Sequence, residues 1–257
     1  MEHARPALGA ILLAALPMIA FPASARAAGP AEAEAAAAVE ATLDTAASHY
    51  FFAPSALNPA RGHGYVAQTE LAVTQVAFGI TDHVELEAAT SIPMLLANLS
   101  PNFAGGAAGL LGAKAGAPLG RRLHGALGVK AFGLLDDSGG SGLFMPYGCV
   151  TFGDARHNIS LNGGVVIDGD GDVSVPLALS GAILVSDTVG VMSETWLLFD
   201  GPGEGVRNLL FASSLGARFL PRGGGWNIDA GLVLLGIDGD LVSIPLPWLS
   251  AGWHFGS

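Results

Sequence analysis

The feature that most constrains the fold of this chain is an alternation of apolar and polar residues between positions 64 and 92. The alternation runs through a first arm, 65–74, and resumes in a second arm, 84–92. Residues 79–83, Gly-Ile-Thr-Asp-His, separate the arms with turn chemistry, because Gly adopts unusual backbone angles and Asp can bond its own backbone. A period of two predicts extended strands with two unlike faces. We therefore predict a β-hairpin in this stretch.

The alternation continues to the C-terminus, and the composition indicates what the apolar face meets. The chain of 257 residues is 51% hydrophobic and 13% charged, against roughly 25% charged in a typical soluble domain. Past the N-terminus, the sequence contains no uninterrupted apolar run of about 20 residues, the length that a membrane-spanning helix requires. Apolar segments of strand length are typical of a barrel in lipid. We predict an all-β fold, an antiparallel up-and-down transmembrane β-barrel of about twelve strands. The alternative is a soluble periplasmic β-sandwich.

Turn signals recur at the spacing of a tilted membrane-spanning strand, about ten residues. An even number of strands leaves both chain ends at the same rim. The predicted strands are 50–57, the two arms of the first hairpin, 107–119, 123–135, 143–153, 158–167, 175–185, 189–199, 208–220, 226–237 and 242–255.

The connections between these strands sort by charge, with basic and acidic connections alternating along the chain. The basic residues are Arg121, Arg122, Arg156 and Arg222, and the acids are Asp136, Asp137, Asp168, Asp170, Asp172, Asp200, Glu204, Asp238 and Asp240. Opposite rims of a barrel explain the alternation, and an acidic outer rim would attract the divalent cations that bridge lipopolysaccharide. The alternative explanation is that Asp-Gly pairs are good turn formers.

The N-terminal region predicts export rather than a domain. Residues 1–28 have the layout of a secretory signal peptide, with Arg5, an apolar core and a small-residue exit. An Ala/Glu-rich periplasmic leader, 29–48, follows, and its composition favours either a short helix or a mobile linker. The remaining residues, 49–257, are predicted to form the barrel.

The last strand places Trp253 and Phe255 on one face. Aromatic residues at strand ends are typical of the membrane interface. In this strand, and in the turn 79–82, the chain resembles Gram-negative outer-membrane β-barrel proteins, whose last strand ends in an aromatic residue that the barrel-insertion machinery reads. Here two more residues follow Phe255. The resemblance implies an outer-membrane location, with outer-membrane lipids, lipopolysaccharide and the insertion machinery as partners.

Charged residues share one face of the predicted strands, and placing Lys or Arg against mid-bilayer lipid costs about 2–4 kcal/mol. The charged face is therefore predicted to line the lumen. The predicted lumen residues are Glu70, Glu85, Glu87, Lys114, Lys130, Glu194, Arg218 and Asp229.

Two functions follow from such a lumen. In the first, Glu70, Glu85 and Glu87 lie close together without compensation inside their hairpin, and they give a narrow, porin-like channel for small solutes or ions a preference for cations. In the second, the acids pair with the bases and close the lumen of a structural outer-membrane protein.

The sequence predicts no enzyme, metal centre or cofactor. A lipid-modifying barrel enzyme is a third possibility suggested by His157 and Ser160, but positions three apart on a strand point to opposite faces, so no catalytic pair forms. The lone Cys149 excludes an internal disulfide. The net charge of −11 argues against a nucleic-acid partner. The apolar segment 93–97 is interpreted as an anchor on the barrel edge or a contact for an apolar ligand.

Overall fold

The computed structural model describes most of the chain after its N-terminal region. The described residues are 30–70, 72–91, 107–136, 139–200, 210–222, 224–237, 240–241 and 245–256. The predicted signal peptide and the apolar segment 93–97 lie outside the described residues. No helix in the described ranges is long and apolar enough to cross a bilayer.

One helix, α1 (Pro30–Ala46), precedes the strands. The strands are β1 (Gly64–Thr69), β2 (Val73–Thr81), β3 (Val84–Ser91), β4 (Ala107–Pro118), β5 (Leu123–Asp136), β6 (Gly139–Gly153), β7 (His157–Gly164), β8 (Val166–Asp168), β9 (Val173–Ser186), β10 (Val189–Asp200), β11 (Leu210–Phe219), β12 (Trp226–Ile237), β13 (Asp240–Leu241) and β14 (Leu246–Phe255).

The strands form a closed antiparallel barrel. Each wall strand pairs with its neighbours in the chain, and β1 pairs with β14 in the register Gly64↔Phe255, which closes the ring. β7 and β8 together make one wall strand, because both pair with β6 and with β9. β13 only extends the edge of β12. The wall therefore has twelve strands, and the predicted fold class is confirmed.

Two strand predictions were wrong, and their errors cancel in the strand count. The first arm of the opening hairpin breaks at residues 70–72, so that it forms two strands, β1 and β2. Glu70 adopts a positive φ of 52° in this turn, an angle that few residues other than Gly adopt. The predicted strand 50–57 is absent from the wall because β14 already occupies the open edge of β1.

The two faces of the wall differ as the alternation predicts. Side chains that face outward are mostly apolar and exposed, whereas the opposite face carries the buried charges. The outward apolar residues include Leu86, Leu111, Leu127, Val150, Leu161, Leu179, Leu215, Ile228, Leu232 and Leu249. Trp226 and Trp253 are cross-strand partners on this outer face, and Phe255 stacks on Phe78 beside them. The aromatic residues form a belt near one rim, as interfacial aromatics do in membrane barrels.

The antiparallel order gives the barrel two different rims. One rim, the short-turn rim, holds the turns that follow β2, β4, β6, β9 and β11, together with the start of β1 and the end of β14. The other, the long-loop rim, holds the connection 92–106 and the acidic turn around Asp170. Arg121, Arg122 and Arg156 lie at the short-turn rim. In outer-membrane barrels the short turns face the periplasm.

Candidate functional site: the barrel lumen

A hairpin of the chain itself lies inside the barrel. The lumen segment, which we define as residues 47–58, follows α1 into the barrel. Its backbone turns at Tyr50–Ala53, where the Tyr50 N–H donates to the Ala53 carbonyl at 2.9 Å. The Ser55 N–H donates to the Ser48 carbonyl at 2.9 Å and completes the hairpin. The sequence instead predicts a leader up to residue 48 and a wall strand over residues 50–57.

The lumen segment enters and leaves at the short-turn rim. At its start, Ala46 lies beside Arg218 near the end of β11. At its end, the Asn58 side chain donates to the Gly116 carbonyl near the end of β4. Its tip reaches further into the barrel, where Phe51 and Phe52 contact Trp248 of β14. The segment therefore occupies the lumen from the short-turn rim to the level of Trp248.

Helix α1 covers the same rim from outside the lumen. Val39 and Leu43 pack against Leu220 in the turn after β11. The Gly225 N–H of that turn donates to the Thr42 hydroxyl at 2.7 Å. Glu40 forms a salt bridge with Arg156 at 2.6 Å in the turn after β6, and the charged partner raises the pKa of Arg156. The predicted leader is thus a docked helix.

The charged residues of the wall pair with one another across neighbouring strands. Glu85 contacts Lys114 at 2.9 Å, and the side chains of both are almost fully buried. The predicted acidic cluster is therefore compensated, because the cations come from strands that the hairpin alone does not reveal. The other wall pairs are Glu87 with Lys130 at 2.9 Å and Arg218 with Asp229 at 2.9 Å.

Two of the wall cations also hold the lumen segment. Lys114 donates to the carbonyl groups of Ser48, Ser55 and Leu57 at 3.2, 3.0 and 2.9 Å. Arg218 donates to the Ala46 carbonyl at 2.6 Å, at the C-terminal end of α1. The carbonyl end of a helix carries partial negative charge, so this contact is electrostatically favourable. Both ends of the hairpin are therefore fixed by cations that already have an acidic partner in the wall.

Glu194 holds the tip of the lumen segment. Its carboxylate accepts from the backbone N–H groups of Phe51, Phe52 and Ala53 at 3.0–3.2 Å, and from the Trp196 indole. Successive N–H groups in a turn form a concave site for an anion. None of the salt bridges found in the described residues includes Glu194. Sequence reasoning placed this side chain in the lumen but could not find its partners, because they are backbone groups.

Polar and aromatic contacts fill the space between the segment and the wall. The Tyr50 hydroxyl lies 2.6 Å from both Asn158 and Ser160 on β7, and burial raises its pKa. His49 stacks on Tyr65 of β1 with the ring centroids 4.6 Å apart. Burial, and then the positive charge of Arg218, hold the pKa of His49 well below its ordinary value. A remaining cavity of about 20 Å³ beside Tyr50 has room for one water molecule.

Glu70 does not lie with the other predicted lumen residues. It is exposed in the turn between β1 and β2, and it accepts a hydrogen bond from the Leu249 N–H at 2.5 Å. The alternation of the first arm also has the opposite sense from the prediction. Tyr65 and Ala67 are buried inside the barrel, which turns Val66 and Gln68 outward. Both errors have one physical reason. The turn at 70–72 removes Glu70 from the strand, so the charge of Glu70 does not identify the inward face of β1.

His157 and Ser160 lie apart, as the strand parity predicts. Ser160 is buried inside the barrel, hydrogen-bonded to Tyr50 and Thr151. His157 is exposed at the short-turn rim, next to Asp154. The two side chains therefore point to opposite faces of the wall.

A closed antiparallel barrel with an apolar outer face, interfacial aromatics and charges confined to the lumen defines a membrane β-barrel of the outer-membrane type. No family model matches the sequence, and no curated protein is significantly similar to it.

Several solved structures have a fold similar to that of this chain. The chain is similar to the KdgM porin with a TM-score of 0.51 at 6% identity, and the match covers 75% of this chain and 98% of the porin. It is also similar to the NanC porin, with a TM-score of 0.47 at 9% identity over 76% and 98% of the two chains. A further match is the translocator domain of the autotransporter NalP from Neisseria meningitidis, with a TM-score of 0.47 at 13% identity over 88% and 97%. The protein has the fold of an outer-membrane porin.

Proposed function

We propose that the protein is a porin-like channel of the outer membrane for small solutes or ions, and that the lumen segment closes it in the conformation described here. The proposal includes export through residues 1–28 and insertion into the outer membrane by the barrel-insertion machinery. A role without enzymatic activity is supported by the separation of Ser160 and His157.

The observation that carries the proposal is that the wall charges pair without the lumen segment. If the segment leaves, Lys114 retains Glu85, and Arg218 retains Asp229. Breaking a buried ion pair would cost about 3–5 kcal/mol, but withdrawal of the segment breaks none of these pairs. Its polar contacts would be exchanged for contacts with water in the opened lumen. A structural barrel with a charge-paired, closed lumen would contain the same pairs, and the conductance measurements below distinguish it from a channel.

An open lumen would carry a small excess of negative charge. Among the ion-paired and buried charges of the described wall there are four acids, Glu85, Glu87, Glu194 and Asp229, and three bases, Lys114, Lys130 and Arg218, which gives 3 − 4 = −1. Glu194 is the residue without a cationic partner among these pairs. We therefore expect weak selectivity for cations, with Glu194 as its source.

Single-channel recording in planar bilayers tests the proposal. The full chain should be closed for most of the recording and open briefly. Glu194→Gln weakens the charge-assisted contacts at the tip of the segment, so it should increase the open fraction about tenfold, the equivalent of ~1.4 kcal/mol. Glu87→Gln is the matched control, because Glu87 also lies in the lumen but contacts the wall rather than the segment.

A second variant makes the test independent of the tip. Deletion of residues 29–57, with folding checked by the heat-dependent migration of the barrel on an SDS gel, should give a permanently open channel. A folded deletion variant without conductance would reject the channel and favour the closed structural lumen.

A further inference from the structure

The lumen changes character towards the long-loop rim. Phe132 on β5 pairs with Leu143 on β6, one step along the same face from the pair Lys130↔Met145. Lys130 and Met145 are both buried inside the barrel, and cross-strand partners point to the same side of a sheet. Phe132 and Leu143 therefore also point into the lumen.

The same reasoning places other apolar side chains around this level. Leu246 pairs with the buried, inward Val233, and Val73 pairs with the inward Thr69. We call the space bounded by Val73, Phe132, Leu143 and Leu246, with the tip of the lumen segment as its floor, the apolar pit.

The side chains of the apolar pit are exposed although they lie inside a closed barrel. The exposed fractions are 39% for Val73, 38% for Phe132, 43% for Leu143, 47% for Leu246 and 52% for Phe52. Apolar surface left in water costs about 25 cal/mol per Å². A lumen that only conducted water and ions would be lined by polar groups at this level, as it is in water-filled barrels.

The floor of the pit is aromatic. The ring of Phe52 lies 4.4 Å from that of Trp248, at an angle of 63°. The Glu87–Lys130 ion pair lies next to this level, and Gln75 donates to Glu87 at 3.3 Å. Glu87 is paired with Lys130, and the Glu194 carboxylate accepts from the backbone N–H group of Phe52. The floor therefore presents aromatic ring surface to a solute.

The enclosure and the charge of the rim together select the occupant. A wall of twelve strands surrounds the pit, so the occupant is a small molecule and not a macromolecule or a lipid bilayer. Asp168 ends β8 and pairs with the inward Leu143, so its carboxylate lies on the lumen side at the mouth of the pit. Asp170 and Asp172 follow it at the long-loop rim, through which a solute would enter. This acidic rim disfavours anions.

We infer that the apolar pit binds a small uncharged apolar solute of the size of one or two aromatic rings, on the floor made by Phe52 and Trp248. The inference names the solute class of the proposed channel, but binding to the pit does not require conduction. It is therefore tested by equilibrium binding, whose failure is distinct from a failure to conduct.

The test uses the full chain in lipid nanodiscs and naphthalene as the probe, titrated calorimetrically. We expect saturable binding of about one naphthalene per barrel, in addition to the linear uptake by lipid. Phe132→Gln and Leu246→Gln should each weaken this binding about tenfold, because each places an amide in the apolar contact surface. Naphthalene-2-sulfonate, which has the same rings and a negative charge, should show no saturable binding.

Phe144→Gln is the matched control. Phe144 neighbours Leu143 in β6 but points to the outer face, where it is exposed to a similar extent. It should leave the saturable binding unchanged. Loss of binding in this variant equal to that in Phe132→Gln would assign the naphthalene to the lipid-facing surface and overturn the inference. The absence of saturable binding to a folded barrel, or equal binding of the sulfonate, would also overturn it.

Discussion

Arg218 connects three parts of the molecule through one side chain. Its guanidinium makes two parallel hydrogen bonds to Asp229 at 2.9 Å and a third to the last carbonyl of α1. The Asn227 side-chain N–H also donates to Asp229, and its Oδ1 accepts from His254 Nε2 at 2.6 Å. A planar guanidinium suits this fork-like arrangement, which a lysine could not reproduce.

Arg218→Met should lower the free energy of unfolding by about 3–5 kcal/mol, because it leaves the buried Asp229 without its cation. Urea unfolding in detergent, followed by tryptophan fluorescence, measures this loss. The double variant Arg218→Met/Asp229→Leu should recover most of it, since it removes both charges. Arg122→Met changes an exposed arginine at the short-turn rim and should have little effect. A single variant as stable as the unchanged protein would show that the pair contributes no net stability.

At the scale of residues, the sequence predicts, outside the first arm, which charged side chains point inward, but not which ones meet. Parity along one strand places Glu85 inward, whereas its partner Lys114 depends on the register between β3 and β4, which the connection 92–106 does not reveal. Glu70 was misplaced because Glu-Leu-Ala contains none of the usual turn formers. The contacts of Glu194 with backbone N–H groups have no signature in side-chain composition.

At the scale of elements, the lumen segment carries a group that couples closure to pH. His49 is partly buried and stacks on Tyr65, and Arg218, His254, Lys114 and Lys130 all lie near enough to oppose its protonation. Its pKa in the docked segment is therefore well below the ordinary value of 6.5. In a withdrawn segment the imidazole would be in water and would titrate normally.

This difference predicts that acid opens the channel. As the pH falls below 6.5, the withdrawn segment takes up a proton at His49 that the docked segment cannot bind, so docking weakens. Asp44 acts in the opposite sense, because burial and the nearby Glu40 raise its pKa above 3.8, and protonation then favours docking. Recordings between pH 7.5 and pH 5.5 should show a rising open fraction.

His49→Gln is the variant that identifies the group responsible. It should abolish the pH dependence and leave the conductance of the open state unchanged. A dependence that persists in His49→Gln would assign the response to another group, such as His254.

The helix and the hairpin before β1 show how far pattern reasoning extends for elements. The Ala/Glu composition of 29–48 favours a helix, and α1 is one. Its docking was not predictable, because Ala-rich helices carry few side chains that specify a partner. The hairpin of the lumen segment resembles a strand in sequence, and only the pairing of β1 with β14 excludes it from the wall.

At the scale of the whole molecule, a charge introduced on the outer face should cost more stability near the middle of the bilayer than near its surface. Leu127 lies on the outer face of β5 and is 73% exposed, and Leu119 is 63% exposed in the short turn before the same strand. Leu127→Arg should lower the free energy of unfolding in lipid by about 2–4 kcal/mol, and Leu119→Arg by about 0–1 kcal/mol. Reversible unfolding in bilayers measures both values. Equal values for the two variants would contradict the lipid-facing assignment.

The fold class follows from the sequence because the bilayer imposes one requirement on every strand, whereas the strand count agrees only because one predicted strand is absent and another is divided in two. Each wall strand must present apolar residues to lipid and satisfy its backbone within the sheet, so the same pattern recurs twelve times. The contents of the lumen obey no such repeated requirement. They depend on contacts such as those of Ser48 and Ser55 with Lys114, which join residues far apart in the chain.

The entry and exit of the lumen segment at a single rim have a consequence for assembly. A strand threaded through the cylinder would have to be trapped while the sheet curled around it. A loop that enters and leaves at the same rim can be inserted after β1 has paired with β14. It can also be withdrawn without breaking that pairing. In this topology the barrel can therefore form empty first, and the lumen segment can enter it in a later, separate step.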